Sequence, residues 1–241
     1  TVNEKLVSQQ TTDNRQQASG NASQDISGTI NGHEYVDLGL SVKWATCNVG
    51  ANKPEDYGNY YAWGETSTKS SYTSDNSKTF GKQMNDIKGN SQYDAARANW
   101  GGTWRMPTEA ELEELKNKCT WRWTTQNGVK GYKVTGPNGN SIFLPAAGYR
   151  HGLSLHSAGE GGYYWSSTPY ESSSRSAYYL YFNSGNQSVN WSDRIGGQSV
   201  RPVLDEEDIY IVSVNNETIT VNGVSFTMIA VEGGTFQMGA T

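Results

Sequence analysis

The sequence is poor in the residues from which most domains build a core. Only 34% of its 241 residues are hydrophobic. No run of about 18 apolar residues occurs, so no segment reads as a membrane-spanning helix. Nineteen Lys and Arg stand against 24 Asp and Glu, for a net charge of -5. There is no basic stripe, the footprint a nucleic-acid partner would require. Cys47 and Cys119 are the only cysteines. They are compatible with one disulfide in an oxidising compartment and equally with two free buried thiols. No leader peptide is visible at Thr1, which fits a processed chain.

Aromatics are plentiful: 8 Trp and 15 Tyr. They bury the most area per residue and can fill a core that aliphatics do not supply. The 27 glycines, with many Ser, Thr and Asn, point to turns and short strands. The length fits one large domain with appendages.

Residues 1–31 are rich in Gln, Ser, Thr and Asn and read as a flexible N-terminal stalk or linker, or a frayed end. Order is expected from about Gly32. Val42, Trp44 and Thr46 alternate as in a strand, and residues 60–64 (YYAWG) form a second extended aromatic segment. Residues 66–90 read as a long loop. A first helix is expected over Ser91–Asn99 with Ser91 as its cap. A second follows the capping box Thr108-Glu109-Ala110-Glu111, with Leu112, Leu115 and Cys119 on its inner face. From Trp121 the pattern is β, with hairpins across residues 136–140 and 183–186 and a closing strand over 199–203 that Pro202 places at an edge or at its own end. An acidic break, 205–208, precedes strand-like segments at 209–214, 217–221 and 226–231.

Six blocks carry a resemblance. They are residues 35–51 (YVDLGLSVKWATCNVGA), 57–66 (YGNYYAWGET), 100–111 (WGGTWRMPTEAE), 141–148 (SIFLPAAG), 164–168 (YWSST) and 197–203 (GQSVRPV). In order and density they resemble the Fibrobacter succinogenes major paralogous domain family, common in surface proteins of gut-dwelling Bacteroidetes. The resemblance covers residues 33–204. It implies an α+β, C-type-lectin-like fold over 32–204, with two helices, a twisted antiparallel sheet, long loops and a loop-rich recognition face. It relates the domain to formylglycine-generating-enzyme-type domains and retroelement variable receptors. Residues 225–241 are similar to the opening strands of a formylglycine-generating-enzyme-type module, so 205–241 reads as a β-rich extension.

Catalytic constellations are hard to assemble. No cysteine follows Cys119, whose place on an apolar helix face argues against a reactive thiolate. No G-x-S-x-G elbow accompanies the many serines. His151 and His156 share a polar loop, without further metal-ligand spacing. The calcium motifs of lectins of this class, Glu-Pro-Asn or Gln-Pro-Asp with Trp-Asn-Asp, do not occur, and residues 190–193 (NWSD) echo them only faintly. No cofactor, no metal and no enzymatic activity are expected.

The recognition surface is expected in two C-terminal clusters: Tyr170, Glu171, Ser173 and Arg175, then Gln187, Asn190, Trp191, Asp193 and Arg194. Tyr, Trp, Ser, Asn and Arg are what binding loops favour. Arg201 is expected inside, paired with a carboxylate or carbonyls. The expected function is recognition of a protein or glycan by an extracellular or cell-surface receptor or adhesin-like domain, with any lipid anchor outside this sequence. The alternatives are a carbohydrate-binding module, which needs exposed aromatics such as Tyr170 with Trp191, and a structural spacer.

Overall fold

The structure, a computed structural model, describes residues 27–205 and, further along, 217–221 and 224–228. Strands β1 (Ser27–Ile30) and β2 (His33–Val36) form a hairpin. Its turn residues Asn31 and Gly32 both have positive φ, 50° and 81°, as a type I′ turn demands. β1 lies within the stretch that composition assigns to the linker. It is ordered because it pairs with β2 along its whole length and buries Ile30. β3 (Val42–Ala45) continues this sheet, and β12 (Val203–Asp205) closes it in the order β1-β2-β3-β12. Pro202 stands immediately before β12, at the strand's own end.

A second sheet holds β4 (Thr120–Gln126), β5 (Val129–Thr135) and β6 (Ser141–Pro145). A small hairpin pairs β7 (Tyr149–His151) with β8 (Ser154–His156). A third sheet, in the order β11-β10-β9, holds β9 (Gly161–Pro169), β10 (Ser176–Asn183) and β11 (Asn186–Asp193). β13 (Glu217–Val221) and β14 (Val224–Met228) form a hairpin of their own. The strand expected at 209–214 lies outside the described residues. Every named strand pair is antiparallel. With two α-helices among the described residues, the chain is mixed α+β.

The aromatics build two large cores separated by strands buried on both faces, and a small third cluster of Tyr60, Ala62, Tyr72 and Ala147. Trp44, Tyr164 and Val203 enter one cluster, with Leu112, Leu115, Leu180 and Phe182. Their sequence neighbours Ala45, Trp165 and Leu204 enter the other, with Trp63, Trp100 and Trp104. Strand alternation thus feeds both cores at once. Three buried indoles find the acceptors they need in backbone carbonyls: Trp63 Nε1 donates to Ser166 O, Trp104 Nε1 to Ile30 O and Trp165 Nε1 to Tyr61 O, all at 2.9 Å, while the Trp44 indole N–H has no hydrogen-bond partner. The 60–64 segment joins this arrangement through a single bridge, Tyr61 to Gln198, rather than as a strand.

Helix α1 spans Ala95–Trp100 and is capped by Asp94, not Ser91. The Asp94 carboxylate accepts backbone N–H bonds from Gly89 at 2.8 Å, Arg97 at 3.0 Å and Met106 at 2.9 Å. A hydroxyl cannot match that capacity, so the helix starts later than Ser91. Helix α2 spans Glu109–Lys118 with the expected Thr108–Glu111 capping box. Cys119 ends it half-buried against the core of Trp44, Leu112 and Leu115, and burial pushes its thiol up to about 11. Cys47 lines a recess of about 280 Å³ with His33 and Trp100, on the side of the other core. Both thiols are free. Of the two arrangements that the sequence left open, this is the one without a bridge, and the two cysteines lie in separate parts of the domain.

β12 is clasped by charge. The buried Arg105 guanidinium bonds the Glu111 carboxylate at 2.7 and 2.8 Å and holds Asp205 through Nε at 3.0 Å and through Nη2, while Lys88 approaches Asp205 at 3.5 Å. The hydrogen bond from Arg105 is the main reason that the Asp205 carboxyl lies below its ordinary 3.8. A depressed carboxylate contributes stability above its ordinary value and loses it as pH falls through the folded-state value. Asp205→Asn is expected to lower the melting temperature by a few degrees at pH 7. The gap should close as the wild type is titrated below pH 3.8. A gap independent of pH would contradict this assignment.

Candidate functional site

The site grows from the third sheet. β10 and β11 are joined at Ser184-Gly185, with the Gly185 N–H donating to Asn183 Oδ1 at 3.0 Å. This short turn sets the register that places Tyr178 opposite Trp191, Leu180 opposite Val189 and Phe182 opposite Gln187. On that face Leu180 and Phe182 are buried with Leu112 and Leu115 of α2. Towards the other end of the same strands, Tyr178 is half-buried and Trp191 is 54% exposed.

The turn 170–175 supplies the next component. Tyr170 N–H donates to Ser176 O at 3.1 Å, Ser173 N–H to Tyr170 O at 3.2 Å and Ser176 N–H to Ser173 O at 3.2 Å. So folded, Tyr170 stacks on Trp191, with centroids 4.9 Å apart and planes 11° from parallel. Tyr178 meets Tyr170 edge-on at 5.5 Å and donates its hydroxyl to Glu171 Oε2 at 3.2 Å. Glu109, at the start of α2, closes this side. Its N–H donates to Thr168 Oγ1 at 3.1 Å. Partial burial, then the charges of Glu113 and Glu171, hold its carboxyl above the ordinary 4.5. The result is a ring platform edged by carboxylates.

The expected site residues divide. Tyr170, Glu171 and Trp191 come together, and Asp193 lies exposed two residues further along the same face of β11. Asn190 falls on the opposite face, where its amide donates to Ser188 Oγ at 2.8 Å. That face also carries Tyr163, stacked on Tyr179 with centroids 6.0 Å apart, and Tyr149 at 4.7 Å from Tyr163. Strand alternation therefore prevents Asn190 and Asp193 from sharing one cation. Gln187 sits at the far end of the hairpin, paired with Phe182. Ser173 Oγ accepts the Arg175 N–H at 3.2 Å within the turn, and Arg175 lies over Phe80 at 5.4 Å. His151 and His156 are exposed on paired strands, with His156 stacked on Tyr149. Among the described residues, no group of three or more His, Cys, Asp or Glu is gathered for a metal. No described helix is long and apolar enough to cross a membrane.

Arg194 is a correction. It is 1% exposed, donates from Nε to Ser176 O at 3.0 Å and from Nη1 to Lys82 O at 2.9 Å, and packs 4.2 Å from the Trp63 ring centre. β11 ends at Asp193, so Arg194 turns inward and anchors the strand end instead of meeting a ligand. Sequence reasoning also missed Tyr178 and Glu109. The signal for Tyr178 was available: counting outward from Ser184-Gly185 as a two-residue turn pairs it with Trp191. Nothing local marks Glu109, whose place depends on how α2 packs.

The family model of the Lcl C-terminal domain matches residues 35–204, from β2 into β12; it is a family found in Fibrobacter-type paralogous proteins. No curated protein and no solved structure matches the chain.

Proposed function

The chain belongs to the Lcl C-terminal domain family over residues 35–204, and from that premise we propose that it is a surface-displayed binding domain of C-type-lectin-like fold, receptor- or adhesin-like, and not an enzyme. One observation carries this reading. A tryptophan that is 54% exposed is held in a stack with Tyr170 at the end of a rigid sheet. Large aromatics left in water in a fixed orientation favour recognition, because they offer contact area at little conformational-entropy cost. A spacer would have no use for such a platform. The resemblance in the sequence supports the lectin-like fold, and antiparallel sheets with two helices agree with it. The same resemblance supports an extracellular or cell-surface location.

A glycan reading has its own support, since a flat ring stack is what a carbohydrate-binding module presents to a sugar face. One experiment addresses both ligand classes: a screen of glycans and surface proteins with the wild type and the Tyr170→Ala/Trp191→Ala double variant. The expected result is binding that falls at least about ten-fold in the variant, with unchanged melting. Binding that survives the double substitution would move the site elsewhere, and no binding in either arm would return the spacer reading.

A further inference from the structure

The ring stack accounts for contact area but not for its charge. Glu171 and Glu109 flank the rings and Asp193 lies along the same face. Among the described residues, no lysine or arginine forms an ion pair with any of the three. Lys116, whose charge is felt at Glu109, makes its ion pair with Glu113 at 2.6 Å, and Arg175 lies over Phe80. Elsewhere the domain meets aromatic and acidic groups with arginine. Arg194 lies over Trp63 at 4.2 Å, Arg150 over Tyr60 at 5.2 Å, and Arg105 spans Glu111 and Asp205. A guanidinium is suited to both tasks, because its flat face stacks on a ring while its edge donates to a carboxylate.

The edge of the sheet indicates what carries that group. Among the described residues β11 pairs only with β10, so its outer edge leaves backbone donors and acceptors unpaired. An extended chain added there would run about 4.8 Å from β11, within side-chain reach of Trp191. A glycan would not use such an edge in this way.

We propose that the platform takes an arginine side chain from an extended segment of a partner protein, the segment pairing along β11 and the guanidinium stacking on Trp191 with Glu171 as its acceptor. This rests on the platform being the binding site.

The test titrates three fluorescein-labelled eight-residue peptides, alternating threonine with arginine, citrulline or lysine, against the full chain by fluorescence anisotropy. Citrulline keeps the planar shape without the charge, and lysine keeps the charge without the plane. The arginine peptide is expected to bind about ten-fold more tightly than the citrulline peptide and about three-fold more tightly than the lysine peptide. Trp191→Ala and Glu171→Gln should each weaken it about five-fold or more, whereas Glu160→Gln, at an exposed site off the platform, should leave it unchanged. Equal binding of the arginine and citrulline peptides, arginine binding that survives Trp191→Ala, or no arginine binding would overturn the proposal. A ligand from the glycan and protein screen that is lost in Tyr170→Ala/Trp191→Ala yet indifferent to Glu171→Gln would keep the platform and remove the arginine.

Discussion

Arg201→Met is expected to cost the domain about 4 kcal/mol, a large share of its stability. Arg201 is 1% exposed. Its Nε donates to Asn48 Oδ1 at 2.8 Å, Nη1 to Ala45 O at 3.0 Å and Thr46 O at 2.7 Å, and Nη2 to Phe143 O at 2.9 Å. No carboxylate belongs to this set. Burial lowers the pKa of the guanidinium, but four oxygens of partial negative charge replace its water. Methionine fills much of the volume and donates nothing, so those acceptors would be buried without partners. Each such loss costs about 1–3 kcal/mol, and they do not add fully. Domains of this kind hold a total of about 5–15 kcal/mol. Arg201→Lys should recover part of the loss, since an ammonium has three donors but cannot span the fork. Urea unfolding followed by tryptophan fluorescence would measure both. A methionine variant within about 1 kcal/mol of wild type would show that the backbone closes around the gap.

The second large effect is expected at Arg194, and it separates anchoring from recognition. Arg194→Met should cost about 3 kcal/mol, from lost charged hydrogen bonds to carbonyls and the desolvated stack on Trp63. Burial pushes the Arg194 guanidinium down to about 10, so it remains charged at neutral pH and its donors stay in use. Its backbone N–H also donates to Arg175 O at 2.8 Å and its Nε to Ser176 O. Arg194 therefore ties the turn that carries Tyr170 to the end of β11, beside the Ser176–Asp193 strand pairing and the Tyr170–Trp191 stack. In a binding assay the variant should lose affinity and melting temperature together, whereas Trp191→Ala should lose affinity alone. Affinity lost with full stability retained would place Arg194 at the ligand and undo the assignment made from its burial.

How much of this could be read beforehand depended on whether the cause was local. The Thr108–Glu111 capping box was legible because its donors and acceptors lie within one turn. The hairpins around 136–140 and 183–186 were legible because turn residues interrupt aromatic and β-branched runs. Asp94 was passed over for Ser91, because its advantage comes from Gly89 and Met106, which the chain brings together only when folded. The candidate site was half legible: residue types pointed to Tyr170, Glu171 and Trp191, which the structure brings together, while treating Gln187 to Arg194 as one cluster ignored strand parity and so included Asn190. Arg194 looked like its exposed neighbours because nothing in the sequence marks the residue at which β11 ends. Arg201 was expected inside with a carboxylate or carbonyls; its acceptors are three carbonyls and the Asn48 amide oxygen, drawn from residues 45–48 and from Phe143, which meet only in the fold.

The β3–β12 pairing imposes an order of events on synthesis. Trp44 pairs with Val203 and Val42 with Asp205, so one edge of the first sheet waits for the last part of the domain to leave the ribosome. Val203 and Leu204, which enter the two cores, arrive with it. Until then the nascent chain holds much of its tryptophan unburied, and contacts this distant in sequence form slowly. The domain is therefore expected to fold after, rather than during, its translation.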